Sequence, residues 1–278
     1  MGYLSRHAER DRMLPAQRQK LLDTLSADLG NEEGILAVYL GGSLAEGNPD
    51  LYSDIDLRIV VKPEAYQAFV ADKLRRPGSW GNVLFFEDLG PGVSHTVAHF
   101  DCFVKVDVFY YRPDDLRPSI FMKSTRIIHD PQHIVSKVQK ESQGLTYIAL
   151  HGEFMRWRGK VMGYIHEAYR RVMRGELSYA LKMVAGLTGW IMQGWHMEAG
   201  RSPDLWSDLS KAEGDRGVLE NWQVSLLDSW HCRRDPDDIM KTVAGMVPEL
   251  LRLDRALSRL TGAEEDRELW LRVIDMVL

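Results

Sequence analysis

The chain has 278 residues, of which 45% are hydrophobic, and its formal net charge is -5. This length and composition are sufficient for a packed core, and they favour one large domain or two of ordinary size. No strongly basic region is present, which argues against nucleic acid as the main partner. The mildly acidic balance would suit a small cationic substrate.

The sequence shows no signal for secretion or membrane insertion. Residues 1–14, MGYLSRHAERDRML, are charged and lack the apolar segment of a signal peptide, and no apolar run reaches transmembrane length. The two cysteines, Cys102 and Cys232, match no zinc or redox spacing and are expected to be free thiols. We therefore expect a cytoplasmic protein without a membrane partner.

The first half of the chain alternates between helical and strand patterns. Residues 15–29 place four leucines at helical spacing after Pro15, and residues 63–76 open with Pro63, so each segment predicts a helix. Short apolar or alternating runs predict strands over 34–42, 54–61, 81–88, 94–101 and 104–111. These patterns indicate a mixed α/β region with a sheet of about five strands.

The second half has few strand signals after residue 139. Helices are predicted over 146–173, 176–199, 218–231, 236–260 and 264–278. Pro248 is expected to break or kink the fourth of these helices. Seven of the eight tryptophans lie in this half. We favour the interpretation that these tryptophans pack in the core of a helical bundle. The alternative is that some of them form an apolar wall for a ring-bearing substrate.

Together these patterns predict an α+β protein with two domains. A small mixed-sheet domain is expected over residues 1–140, followed by an all-α helical bundle over residues 141–278. The division rests on the change from alternating strand patterns to long helical ones. No internal repeat is visible in either half.

Two aspartates interrupt the strand predicted over 54–61. Asp54 and Asp56 are two residues apart and point to the same face, whereas Ile55 and Leu57 point to the other. Two carboxylates on one face repel each other and lose hydration, so an opposing cation is needed. Oxygen ligands without His or Cys favour Mg²⁺, which completes its shell with water and phosphates. Acids alternating along a solvated surface strand are the alternative.

Gly41, Gly42 and Ser43 end the strand that precedes the two aspartates. Glycines let a backbone approach a ligand closely, and a helix or turn beginning near Ser43 would form an anion site. A third acid, Asp107, lies between two valines in a later predicted strand. Three acids on neighbouring strands can hold two metal ions, or one metal ion and a general base. The combination predicts a nucleoside triphosphate held through Mg²⁺.

The order Gly42-Ser43, Asp54-Ile55-Asp56 and Asp107 resembles the signature of the DNA polymerase β-type nucleotidyltransferase superfamily. In that family the first two acids bind Mg²⁺ and the triphosphate, and the third completes the metal site or deprotonates the acceptor hydroxyl. The resemblance implies that Asp54, Asp56 and Asp107 are catalytic metal ligands, with the base as the alternative role for Asp107. It also implies that the turn starting at Gly41 contacts the β- and γ-phosphates through Gly42 and Ser43.

The plan of the whole chain resembles the lincosamide and aminoglycoside adenylyltransferases, which have an N-terminal catalytic domain and a C-terminal helical domain. The resemblance implies a nucleotidyltransferase domain over residues 1–140 and a substrate-binding domain over residues 141–278. It further implies that a cation or an aromatic residue of the helical domain reaches the nucleotide. Lys160 is the candidate for this triphosphate contact, and a solvated lysine is the alternative.

The predicted activity is Mg²⁺-dependent transfer of AMP from ATP to a hydroxyl of a small molecule, with release of pyrophosphate. The resemblance implies an aminoglycoside or lincosamide antibiotic as the acceptor.

One alternative to this activity is a nucleotidyltransferase acting on protein or RNA, as in toxin–antitoxin systems, although those catalytic units commonly lack a large bundle. The second alternative is a non-catalytic nucleotide-binding module, and the presence of all three acids argues against it. A monomer and a homodimer are both compatible with the sequence.

Five further polar residues have less specific interpretations. His95 and His99 lie four apart in a predicted strand, too far apart for one metal ion, so structural or surface roles are expected. Glu87 and Asp88 end another strand, and a solvated turn is favoured over a contact with the acceptor. Lys105 shares the face of the third acid, and a salt bridge to the acids is favoured over a phosphate contact.

Overall fold

The computed structural model describes residues 5–203 and 211–278. The chain forms two compact units, Met1–Leu145 and Thr146–Leu278. The first contains a six-stranded sheet with helices, and the described part of the second is helical. The predicted α+β fold, a mixed sheet followed by a helical region, is confirmed. Among the described residues, no helix has the length and apolar character needed to cross a membrane.

In chain order, the first unit contains α1 (Ala8–Gly30), β1 (Ile35–Leu40), α2 (Gly42–Glu46), β2 (Ile55–Val61), α3 (Tyr66–Ala71), β3 (Val83–Asp88), β4 (His95–Phe100), β5 (Lys105–Tyr111), β6 (Arg126–His129) and α4 (Ile134–Ser142). The strand order is β3-β4-β5-β2-β1-β6. Strands β2 and β5 are parallel, and the other neighbours are antiparallel. The sheet has one strand more than predicted, because the four residues of β6 are too few to show an alternating pattern.

Helix α1 begins earlier than the sequence predicts. It starts at Ala8 instead of Pro15, and Pro15 lies inside the helix. Leu14 is buried in the same core as the leucines of the predicted helix, so the apolar stripe extends past the proline. A proline inside a helix removes one backbone hydrogen bond, and burial of this stripe outweighs that loss.

Helix α3 is shorter than predicted. Lys73, in the segment that follows α3, holds the loop between β3 and β4 in place. The helix covers Tyr66–Ala71 and does not continue to residue 76. Lys73 is 2% exposed, and its ammonium lies 2.5 Å from Asp88 Oδ1 and 2.7 Å from two carbonyl oxygens of the loop. A buried charge needs such partners. Asp88 is therefore part of a structural ion pair, and as a residue it is exposed at the end of β3.

The two faces of the sheet are covered differently. One face packs Ile55, Leu57 and Val106 into a core with α1 and α3. On the other face, a smaller cluster comprises Leu36, Ala37, Tyr39, Val60, Leu116, Met122 and Val135. Along β5, buried residues alternate with half-buried ones. The half-buried positions, including Asp107, lie on the face opposite the larger core.

In chain order, the second unit contains α5 (His151–Met173), α6 (Leu177–Glu198), α7 (Asn221–Ser229), α8 (Pro236–Thr261) and α9 (Arg267–Asp275). Trp157, Trp195 and Trp270 are each 1% exposed, in agreement with the favoured interpretation of core packing. Trp206 lies outside the described residues. Pro248 does not break α8, because the apolar face of this helix packs on α5 and α6 along both halves.

A buried ion pair joins α5 to α8. Arg158 Nε lies 2.6 Å from Asp254 Oδ1, and Arg158 Nη2 lies 3.1 Å from Asp254 Oδ2 and 2.9 Å from Ser258 Oγ. Nη2 also donates to the carbonyl oxygen of Glu264 at 3.0 Å. Arg158, Asp254 and Ser258 are all buried. This bidentate arrangement provides the pairing that a buried guanidinium needs.

We predict that Asp254→Ala lowers the free energy of unfolding of the helical unit by about 3–5 kcal/mol, because the charge of Arg158 stays buried without its partner. Urea unfolding followed by tryptophan fluorescence measures this loss, since seven of the eight tryptophans lie in this unit. The double variant Arg158→Met with Asp254→Leu is the control and should recover most of the stability. A loss below about 1 kcal/mol for Asp254→Ala would contradict the prediction.

Candidate active site

Asp56 and Asp107 are neighbours across the parallel pair β2 and β5. In the register of this pair, Asp56 lies opposite Asp107, and Ile55 lies opposite Val106. Asp54 comes immediately before β2. Because side chains alternate along a strand, the three carboxylates belong to the same face of the sheet. The structure therefore brings together the three acids that the sequence singled out, and we call them the acid cluster.

The ammonium of Lys105 lies between two carboxylates of the acid cluster. Its Nζ is 2.9 Å from Asp54 Oδ2 and 3.2 Å from Asp107 Oδ2. The salt bridge that the sequence favoured for Lys105 is therefore present. The side chain is 36% exposed, so solvent screens the ion pair. Lys105 serves as a counter-ion for the acids.

The acid cluster carries more negative charge than its surroundings neutralise. Burial, followed by the charge of Asp54, raises the pKa of Asp56 above its ordinary value. Burial likewise raises the pKa of Asp107, although Lys105 opposes that shift. Asp107 Oδ1 is buried and has no hydrogen-bond partner. For Lys105 itself, burial lowers the pKa, but the two ion pairs outweigh burial and leave the pKa above its usual range. The cluster therefore favours binding of a further cation.

The glycine turn, Gly41–Ser43, packs against Asp56 of the acid cluster. The backbone N–H of Gly41 donates to the carbonyl oxygen of Asp56 at 3.0 Å, and α2 begins at Gly42. Gly42 has a φ of +58°, and a Cβ at this position would overlap the Asp56 carboxylate. A Cβ on Gly41 would overlap the guanidinium of Arg58. The positive φ favours glycine at position 42, whereas a side chain at position 41 would require the flexible guanidinium of Arg58 to move. Ser43 is buried beside the two glycines.

The chemistry of the acid cluster suits a divalent cation. Carboxylate oxygens are the ligands that Mg²⁺ prefers, and Asp107 Oδ1 has no other partner. In the described part of the chain, no group of three or more His, Cys, Asp or Glu side chains is arranged to hold a metal ion, and Lys105 lies between Asp54 and Asp107. A cation bound by all three acids would take over the role of counter-ion from Lys105.

A comparison with known protein families matches residues 19–128 to the nucleotidyltransferase domain. The matched segment extends from α1 into β6 and contains the acid cluster, the glycine turn and Lys105. The prediction that this chain is a nucleotidyltransferase is confirmed.

Two solved structures share a distant likeness with the chain. An aminoglycoside 6-adenyltransferase from Bacillus subtilis is 10% identical, with 94% of this chain and 95% of that one covered and a TM-score of 0.45. A nucleotidyltransferase-like protein from Exiguobacterium sibiricum is 10% identical, with 93% and 87% covered and a TM-score of 0.41. A comparison with curated protein sequences finds no significant match.

The histidines of the nucleotidyltransferase domain make structural contacts. His95 stacks on Phe109, and His99 stacks on Phe85, with ring centroids 4.2 Å apart in both pairs. His99 Nε2 also lies 2.7 Å from Glu87 Oε1. These contacts agree with the expected structural roles of both histidines. Glu87 is paired with His99, and its side chain is 65% exposed, in agreement with the solvated position that the sequence favoured.

Arg58 is a residue of the nucleotidyltransferase domain that sequence reasoning missed. Its guanidinium lies 5.2 Å from the centroid of the Phe109 ring, and its Nη1 donates to the carbonyl oxygen of Asp56 at 3.3 Å. The charge of Arg58 opposes the rise in the pKa of Asp56, but burial has the larger effect. A signal was present, because Arg58 follows Asp56 by two residues in one strand and so shares its face.

Lys160 lies on α5 in the helical unit. With Gly159, Gly163 and Tyr164 it lines an open groove of about 640 Å³. The two glycines leave room above the helix because they carry no side chain. The contact between Lys160 and a triphosphate stays a prediction.

We predict that Asp56→Asn stabilises the metal-free protein at neutral pH. Because the pKa of Asp56 is raised in the folded state, that state holds a proton more tightly than the unfolded state. Stability therefore falls as pH rises from 3.8 through the folded-state pKa. Asparagine removes this charge, and we expect Tm to rise by about 2–4 °C, the shift that corresponds to about 1 kcal/mol. Differential scanning calorimetry in a buffer with EDTA measures the change.

Asp72→Asn is the matched control for this experiment. Asp72 forms an ion pair with the exposed Arg75 outside the acid cluster, so its replacement should shift Tm by less than about 1 °C. The pH profile is a second readout, since the advantage of Asp56→Asn over the wild type should shrink as pH is lowered toward about 4. A lower Tm for Asp56→Asn at neutral pH would show that the charge of Asp56 is not a source of strain.

Proposed function

We propose that the chain transfers AMP from ATP, bound with Mg²⁺, to a hydroxyl group of a small molecule and releases pyrophosphate. One observation carries the proposal. Three carboxylates share one face of the sheet, and a turn with two glycines packs against one of them. In a nucleotidyltransferase domain, these features offer oxygen ligands for a cation and backbone N–H groups for phosphates.

Each part of the site has a role in this proposal. Asp54, Asp56 and Asp107 would hold Mg²⁺, which when bound supplies positive charge to the triphosphate and to the transition state. The glycine turn would bind the β- and γ-phosphates through the backbone N–H groups of Gly42 and Ser43 and the hydroxyl of Ser43. Lys160 would add a contact to the triphosphate from the helical unit. Positioning and charge stabilisation are the main demands of such a transfer.

Asp107 is the candidate for the general base. Its pKa is raised by burial, and its Oδ1 has no hydrogen-bond partner, so this carboxylate can accept a proton. In the proposed step, the acceptor oxygen bonds to the α-phosphorus, and its proton passes to Asp107. The bond from the α-phosphorus to the oxygen bridging the α- and β-phosphates breaks, and pyrophosphate leaves with the electron pair. A role for Asp107 as a metal ligand alone is the alternative.

The acceptor that we propose is an aminoglycoside or lincosamide antibiotic. The proposal is supported by the resemblance of the chain's plan to adenylyltransferases of those drugs, and the net charge of -5 would favour a cationic acceptor. In this proposal the helical residues from 141 to 278 contribute to substrate binding. Cys102 and Cys232 are free thiols, which suits the reducing and ATP-rich cytoplasm.

We predict that incubation with ATP, Mg²⁺ and the correct acceptor yields a product heavier by one AMP group, together with one pyrophosphate per product. A panel of aminoglycosides and lincosamides is tested by mass spectrometry and pyrophosphate release. Asp56→Ala and Asp107→Ala should each lower the rate at least about 100-fold, since each removes a ligand or the base. Asp72→Asn should keep the wild-type rate.

The outcomes separate the proposed function from its rivals. Near-normal turnover by Asp56→Ala would overturn the assignment of the site. If labelled AMP instead appears on a protein or RNA of a cell lysate, the acceptor is a macromolecule. Tight binding of ATP with Mg²⁺ but no release of pyrophosphate would favour a non-catalytic nucleotide-binding module.

We predict that Mg²⁺ alone raises the Tm of the wild type but not that of Asp56→Asn. A ligand that binds only the folded state at ten times its Kd stabilises by about 1.4 kcal/mol, which corresponds to about 3–6 °C. Calorimetry at a constant ionic strength measures this effect without the contribution of screening. An equal rise in both proteins would mean that Mg²⁺ binds elsewhere.

A further inference from the structure

A cavity of about 280 Å³ opens beside the acid cluster, within the first unit. It lies at the edge of the sheet where β4 ends and β2 and β5 begin. Asp54 and Lys105 form part of its wall, and Tyr52, Phe85 and Phe103 contribute three aromatic rings. We call this cavity the β4–β5 pocket. No role assigned to the site so far makes use of it.

The wall of the β4–β5 pocket exposes a large apolar surface. Phe85 is 54% exposed, and Tyr52 and Phe103 are each 59% exposed. Leu51 and Leu84 also line the pocket and are exposed. Aromatic and aliphatic side chains around a concave site are typical of ligand pockets, because a bound ligand removes their surface from water.

Two of the aromatic rings are held in position by specific contacts. Phe103 has a φ of +65°, a left-handed conformation that is unfavourable for a bulky side chain. The guanidinium of Arg10 lies 3.9 Å from the centroid of its ring. The hydroxyl of Tyr52 donates to Asp11 Oδ2 at 3.0 Å. The rings of Tyr52 and Phe103 therefore have partners before any ligand binds, which reduces the entropy that binding would cost.

The strand order indicates which reactant the β4–β5 pocket receives. The glycine turn follows β1, on one side of β2, whereas β5 and β4 lie on the other side. In the proposed reaction the pyrophosphate is bound at the glycine turn. A nucleophile attacks the α-phosphorus in line, from the side opposite the leaving group. That side is the side of β5, where the pocket opens.

We propose that the β4–β5 pocket binds the acceptor, through an apolar ring or alkyl group next to the hydroxyl that receives AMP. This inference rests on the proposed function and names the chemistry of its acceptor. The volume of about 280 Å³ is just below the range for drug-sized ligands, so the pocket takes one ring-bearing portion of a molecule. The aromatic and aliphatic wall of the pocket therefore favours an acceptor with an apolar substituent.

Binding of 2-phenylethanol, a small aromatic alcohol, tests the proposal without any need for turnover. The full chain is titrated with this probe with and without Mg²⁺ and α,β-methylene-ATP, a non-hydrolysable analogue, and amide shifts are followed by NMR. We expect shifts centred on the β4–β5 pocket in both conditions. Phe85→Ala should weaken binding at least fivefold. Tyr169→Ala, which removes an exposed ring of the helical unit, should leave binding unchanged.

Each other outcome overturns the proposal. Absence of binding would show that the pocket is not a ligand site, and displacement of the probe by α,β-methylene-ATP would assign the pocket to the nucleotide. Binding that is insensitive to Phe85→Ala would place the probe elsewhere, and Phe103→Ala provides a second variant if Phe85→Ala does not fold. Failure of the proposed function has a different signature, which is the lack of pyrophosphate release while the probe still binds.

Discussion

The parallel pairing of β2 with β5 is the constraint on which the site depends. Its register sets Asp56 beside Asp107, and like charges at adjacent strand positions repel. Lys105 places one positive charge between Asp54 and Asp107. Burial nevertheless raises the pKa values of Asp56 and Asp107, so this face of the sheet is under electrostatic strain that a bound cation would relieve.

The rest of the first unit keeps these strands together despite the repulsion. The opposite faces of β2 and β5 bury Ile55, Leu57 and Val108 under α1 and α3, and each fully buried aliphatic side chain contributes about 1.5–3 kcal/mol. The ammonium of Lys73 joins the segment after α3 to the loop between β3 and β4. A hydrophobic core on one face thus supports a charged site on the other.

The differences between expectation and structure have a common cause. The start of α1, the early end of α3 and the continuation of α8 through Pro248 all follow from packing or ion pairs between elements distant in sequence. Local patterns report the propensity of a segment, and tertiary contacts override it. Lys73 was missed as a partner of the loop for the same reason, because its contacts are made across the fold. Arg58 differs, since its contact is with Asp56, two residues earlier in the same strand.

The sequence by itself determined the fold class, the nucleotidyltransferase domain and the acids of the candidate site. Asp54, Asp56 and Asp107 could be found because each places a charge where an apolar strand residue is expected, and the paired glycines mark a close backbone approach. Tertiary structure decided the partners of these acids, the position of Lys105 between two of them, and the aromatic pocket beside them. Strand order and register set those contacts, and neither is encoded in any single local pattern.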